Sequence, residues 1–200
     1  VYRLWGAARM RQLVPWQETW LSTHIASYRP ASSCAGIWWE RALQVEHALL
    51  RGEPLAGLSI DMRKCFDTLP QEILFGMAAA VGVPQRVLCA LGGMYSQLHR
   101  RFKTGPTVGQ AFSSTNGILQ GCPISVLLVN IFASTWAAAV LHEAPGSAPR
   151  AYADDMSATA GSDLTINQQN RHLGVWVSPL RCRRFLASMP PISRVMRMRR

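Results

Sequence analysis

Tyr152-Ala153-Asp154-Asp155 sets two adjacent carboxylates directly after a short apolar run. Oxygen ligands of this kind suit a hard divalent cation, and a pair of them on a strand turn suits phosphoryl-transfer chemistry. Alone, the tetrad reads more readily as a solvated turn; what precedes it in the chain changes that. Asp61 ends the strand-like run Leu58-Ser59-Ile60, and Met62 to Asp67 leaves it as a turn or short helical segment before Pro70. Between the two carboxylate sites lies Asn116-Gly117-Ile118-Leu119-Gln120-Gly121-Cys122-Pro123-Ile124-Ser125, a glycine-punctuated loop that feeds a long apolar helix. Asp61 from one strand and Asp154 from a neighbouring hairpin are expected to converge. Asp155, one residue on, would face the other way on a regular strand unless a tight turn redirects it.

These three features, in this order, resemble the reverse transcriptases, most closely those of non-LTR retrotransposons with some likeness to group II intron enzymes. Ser59-Ile60-Asp61 to Phe66-Asp67 is similar to the family's first palm motif, Gly117 to Ser125 to its second and Tyr152 to Asp155 to its metal-binding third. Ala8-Arg9-Met10 and Ser27-Tyr28-Arg29-Pro30-Ala31-Ser32-Ser33 resemble the fingers segment that leads into the palm. The resemblance covers roughly residues 2 to 160. It implies a catalytic triad of Asp61, Asp154 and Asp155 holding two Mg2+ ions, with Mn2+ as an alternative and the Met62 carbonyl completing one shell. It also implies nucleotide binding by Phe66, Gln120 and Gly121, and nucleic-acid contacts by Arg9 and Arg29 in place of the usual basic fingers residues. The implied partners are an RNA template, a DNA primer and deoxynucleoside triphosphates. Phe66 stands five residues beyond Asp61, where a bulky aromatic leaves no room for a 2′-hydroxyl and so selects deoxynucleotides. On local sequence alone it reads as a core phenylalanine. Asp67 is open between a site role and a helix N-cap.

The elements that must position these groups follow from pattern and punctuation. Leu4 to Leu13 and Ile37 to Leu50 read as helices, the second capped by Ser32 or Ser33 and stopped at Gly52. Leu55 to Asp61 reads as a central strand, Gln71 to Val81 as a helix ending at Gly82, and Pro84 to Gln97 as a helix with an awkward Gly92-Gly93. Arg100 to Lys103 and Ala111 to Thr115 read as two strands joined through Gly105-Pro106 and Gly109. The apolar run from Ser125 to Leu141 falls short of the ~20 residues of a membrane span and contains Asn130, Ser134 and Thr135, so it reads as a buried helix. The fold class is α+β: an antiparallel sheet with helices on one face and the metal site on the other. By resemblance this is a polymerase palm at 55–161 with part of a helical fingers subdomain at 1–54.

The chain has 200 residues, 48% of them hydrophobic, enough for one core. Its net charge of +10 favours binding to phosphate backbones by counterion release. Lys64 and Lys103 are the only lysines, and arginine forks bind phosphates bidentately; GC-rich coding would leave the same bias. The five cysteines show no zinc or disulfide spacing and read as reduced intracellular thiols, with a nuclear or cytoplasmic location. There is no signal-peptide pattern and no membrane is expected as a partner.

Beyond Gly161 the motif resemblance fails: residues 162–200 hold no lysine and form a basic tail broken by Pro179, Pro190 and Pro191. It reads either as a grip on nucleic acid or, preferentially, as sequence drifted out of its ancestral frame. Val1 in place of methionine and the lack of fingers strands or thumb suggest a retrotransposon-derived fragment of something longer. The alternative to an enzyme is a catalytically inactive palm-fold remnant that binds nucleic acid or a partner. An RNA-copying RNA polymerase shares the metal logic, but Phe66 and the Tyr-Ala before the Asp pair fit DNA synthesis better.

Overall fold

A computed structural model describes residues 2–161, so the basic tail lies outside the described residues. Helix α1 (Tyr2–Trp20) is followed by α2 (Cys34–Arg51), β1 (Ala56–Asp61), α3 (Cys65–Thr68), α4 (Gln71–Ala80) and α5 (Gln85–Ser96). The short strands β2 (Lys103–Thr104) and β3 (Thr107–Val108) lead to the long helix α6 (Pro123–Glu143) and the hairpin β4 (Ala148–Tyr152) and β5 (Asp155–Ala160). The expected α+β class holds.

Helix α2 begins and ends where the residue types demand. The Ser33 hydroxyl accepts the Gly36 amide at 3.0 Å, and Gly52, at φ 64°, turns the chain into the left-handed region that a side chain would resist. Helix α1 departs from expectation by continuing through Pro15 to Trp20. Proline inside a helix costs about 3 kcal/mol. Beyond it, Gln17 is buried and Trp16 and Trp20 pack against the core, so tertiary burial outweighs the lost hydrogen bond.

The main sheet runs β1-β5-β4, antiparallel throughout. Its register, Ile60 opposite Met156 and Met156 opposite Ala151, sends these three side chains to one face. They are buried there with Ala133, Trp136, Ala137 and Val140 of α6. The alternate positions, Asp61, Asp155, Tyr152, Ser59, Ser157 and Arg150, occupy the other face. On its far side α6 buries Ile124, Leu127, Leu128 and Ile131 against α1, α4 and α5. Buried on two sides, the helix must be apolar nearly all round.

At 21 residues α6 is longer than expected and, by length and hydropathy, could cross a membrane. Burial within the fold accounts for that composition, with 67% of its apolar window covered. Asn130, fully buried, interrupts it for a structural reason: its Nδ2 donates to the Ser27 carbonyl at 3.1 Å and to Gln17 Oε1 at 3.4 Å, while its Oδ1 accepts from the Ser27 hydroxyl. The side chain thus ties α6 to α1 and to the loop after it.

Candidate active site

Asp61 is the last residue of β1 and Asp155 the first of β5, and the two stand directly opposite each other on the open face. The turn sets how Asp154 stands relative to this pair. Tyr152 pairs with Asp155, which leaves Ala153 and Asp154 as a two-residue hairpin loop. Asp154 therefore lies beyond the last rung of the ladder, at the tip. Ala153 has φ 55°, a backbone state favourable to glycine and strained for alanine. Asp154 is close enough to the buried Cys65 to act on it: burial chiefly, then the Asp154 charge, push the thiol up to about 12. Asp61 and Asp155 thus stand at the exit of β1 into α3, with Asp154 at the adjoining hairpin tip.

That exit is tight. Lys64, at φ 51°, takes the left-handed conformation, and the Met62 carbonyl accepts the Cys65 amide at 3.1 Å. One lone pair of that carbonyl remains for a further ligand. Asp67 falls within α3, and Pro70 precedes α4 without any side-chain cap, so the helix-cap reading of Asp67 is not realised.

The glycine loop docks on α3 through its backbone. Gly117 donates to the Leu69 carbonyl at 2.8 Å and Ile118 to the Phe66 carbonyl at 2.6 Å. A Cβ on Gly117 would lie 2.7 Å from the Asp67 carbonyl oxygen, and its φ is +81°, so both space and conformation require glycine. Gln71 Nε2 holds the same loop, donating to the Gly117 carbonyl at 2.8 Å. Phe66 is thereby tied to the loop that carries Gln120 and Gly121, with Gln120 and Gly121 exposed. Phe66 itself is half-buried and packs against the helical core.

Both predicted arginines also make contacts within the fold. Arg29 grips Glu18 at 2.6 Å and donates to the carbonyls of Ser22 and Ile25, fastening the loop after α1. Arg9 donates to Gln12 at 2.8 Å and lines a cavity of about 260 Å³ with Trp16 and Arg86. Sequence reading missed Arg3, whose Nη2 lies 3.6 Å from the position a Cβ on Gly121 would take. It also missed the stack of Tyr28 on Tyr152, with ring centroids 6.5 Å apart. Neither had a local signal, because the chain brings each pair together from distant segments.

Does this donor set suit a hard divalent ion? Among the described residues, none of the three carboxylates makes a hydrogen bond or ion pair with another side chain. Like charges set directly opposite in a sheet repel, so Asp61 and Asp155 form an oxygen-only, uncompensated pair. No group of three His, Cys, Asp or Glu side chains is gathered at ligand spacing among the described residues. Magnesium needs only one or two carboxylates besides substrate phosphates and water, and the opposed pair meets that requirement.

Residues 6–188 match the family described as reverse transcriptase (RNA-dependent DNA polymerase), and the chain belongs to that family. The match runs past Gly161, further than the motif resemblance reaches. Among solved structures, apo telomerase from Candida tropicalis, truncated from its C-terminal domain, is similar with a TM-score of 0.62 and 17% identity over 84% of this chain. Telomerase from Candida tropicalis in complex with a TWJ fragment of telomeric RNA is similar with a TM-score of 0.62 and 14% identity over 84% of this chain. At such identity the likeness is one of fold. The chain spans 37% and 30% of the lengths of those two proteins. Comparison with curated proteins found no match.

Proposed function

We propose that this chain is the palm-centred core of an RNA-directed DNA polymerase of the non-LTR retrotransposon type, adding deoxynucleotides to a primer 3′-hydroxyl. The observation that carries this reading is the uncompensated Asp61–Asp155 pair at the edge of the open sheet face, with Asp154 at the adjoining hairpin tip. Asp61, Asp154 and Asp155 would hold two Mg2+ ions, or Mn2+, with the Met62 carbonyl available to one of them. Bound there, such ions stabilise the attacking and leaving oxygens of an in-line displacement at phosphorus.

The rest of the work belongs to the chain's own groups. The buried sheet face and α6 fix the two strand ends, so the carboxylates are presented without reorganisation when charge develops. Phe66, anchored through its backbone to Ile118, would exclude a 2′-hydroxyl from the sugar site. Gln120 offers an exposed amide, and Arg3 a guanidinium beside Gly121, to the nucleotide and its phosphates. Holding reactants in line contributes up to ~7–11 kcal/mol, and we assign residues 1–54 to a partial fingers segment and 162–200 to a basic tail.

A second reading, an inactive palm-fold remnant that binds nucleic acid, is favoured by the lack of three gathered carboxylates among the described residues. Extension of an oligo(dT) primer on poly(rA), with protein in excess so that one slow turnover is visible, separates the two. Slow, distributive, magnesium-dependent extension that is lost in Asp154→Asn while template binding persists is the expected result. Binding with no extension by the unaltered chain gives the protein to the second reading.

A further inference from the structure

We propose that the hairpin over residues 99–113 is a landing surface for unpaired RNA, whose bases stack on Phe102 and Phe112 while its phosphates meet Arg101 and Lys103. This deepens the polymerase reading and rests on it for the choice of RNA: a strand ahead of the site would be template.

The two phenylalanines are the starting point. Phe102 is 75% exposed and Phe112 38% exposed, yet their rings stack on each other with centroids 5.0 Å apart and planes 21° apart. Apolar rings packed together in water, with no core behind them, offer a flat face to a ligand that stacks. The backbone sets them there. Arg100 pairs with Phe112 and Lys103 with Val108, so three steps on one strand span four on the other. That extra residue is a bulge, which bends a strand and re-aims its side chains. Gly109 closes it, donating to the Phe102 carbonyl at 2.9 Å.

Charge favours the same occupant. Between Gln97 and Gly121 there is no aspartate or glutamate, while Arg100, Arg101 and Lys103 are all present. Arg101 and Lys103 are exposed and form no ion pair among the described residues. Arg100 donates to the Gly117 carbonyl at 3.3 Å, linking the hairpin to the loop that docks beside Phe66. Aromatic faces flanked by unpaired cations are the means by which proteins bind single strands with little sequence preference.

The test is fluorescence anisotropy of the whole chain with labelled oligo(rU), oligo(dT) or double-stranded RNA, in EDTA so that no metal-dependent step contributes. Oligo(rU) should bind best. Phe102→Ser with Phe112→Ser should weaken it roughly tenfold or more, from the loss of stacking, while Phe102→Trp should retain it. Arg101→Ala with Lys103→Ala should lower the salt slope by about 0.7 per charge removed. Because binding is read without metal, its loss in the serine variant separates this surface from the catalytic reading. Unchanged affinity in the serine variant, with its circular dichroism intact, would overturn the proposal. So would equal binding of duplex RNA, tighter binding of oligo(dT), or an altered oligomeric state in the serine variant with RNA affinity unchanged, which would assign the rings to a protein contact.

Discussion

The two faces of one three-stranded sheet do opposite things with the same backbone. On the inner face Ile60, Met156 and Ala151 line up across β1, β5 and β4 and are sealed by α6. On the outer face, one residue out of phase, Asp61 and Asp155 oppose each other in water and Arg150 reaches across to Glu40 of α2. A slip of one residue would exchange the two sets. The inner face therefore supplies the stability that lets the outer one keep an unfavourable charge pair in register, and the proposed metal site lies on the face that buries less apolar surface.

The largest effect should fall on the inner face. Met156 is 4% exposed and lies beneath α6, and truncating a buried methionine costs about 2–5 kcal/mol. Met156→Ala should lower the stability measured by urea denaturation by that amount. Its neighbour Ser157 points outward, and Ser157→Ala should move it by no more than about 0.5 kcal/mol. Similar losses in the two variants would break the contrast between faces.

How far this arrangement was legible in the sequence depends on how local each signal is. The Ser33 cap, the Gly52 stop and the β1 strand were readable because a residue type and its neighbours determine them. The cross-strand register of the carboxylates was not readable: it takes a two-residue turn at Ala153-Asp154 to set Asp155 opposite Asp61, and alternation alone leaves that open. The extension of α1 past Pro15 was hidden because packing against distant helices outweighs a local penalty. Of the strands expected at 100–103 and 111–115, the first keeps only Lys103 in a ladder, whose partner strand is Thr107–Val108, and the second keeps only the Arg100–Phe112 bridge, because the bulge separates the two. Arg29 was legible as a notable residue, yet its partner Glu18 lies in another element. Its role in the fold needed the structure.

A smaller effect would sharpen the outer face. Glu40 accepts from Arg150 at 2.9 Å through one oxygen and from a second guanidinium nitrogen through the other. That hydrogen bond, foremost, and the nearby positive charge hold the Glu40 carboxyl below its ordinary value of 4.5. A lowered folded pKa means that the pair contributes above the unfolded value and loses its contribution as pH falls through the folded one. Both side chains are partly exposed, so Glu40→Gln should cost at most about 1 kcal/mol near neutrality. The gap to the parent should close as pH drops well below 4.5. A gap that persists in acid would mean that Glu40 acts through packing and not through charge.

The smallest expected change has the most diagnostic sign. Asp61 and Asp155 are cross-strand neighbours with no cation paired to either among the described residues. Like charges so placed cost about 0.2–1 kcal/mol, reduced further by salt because both are exposed. In EDTA and low salt, Asp61→Asn should therefore be slightly more stable than the parent, and added sodium chloride should shrink the difference. Magnesium should reverse the order. A ligand that binds only the folded state stabilises it by RT ln(1 + [L]/Kd), about 1.4 kcal/mol at tenfold excess over Kd, and the asparagine variant loses half of the opposed pair that would receive it. Thermal melts of the two proteins with and without magnesium read both signs in one experiment. A variant less stable than the parent in EDTA would show that Asp61 supports the fold as the inner-face residues do. A parent indifferent to magnesium would remove the reason for keeping two carboxylates face to face.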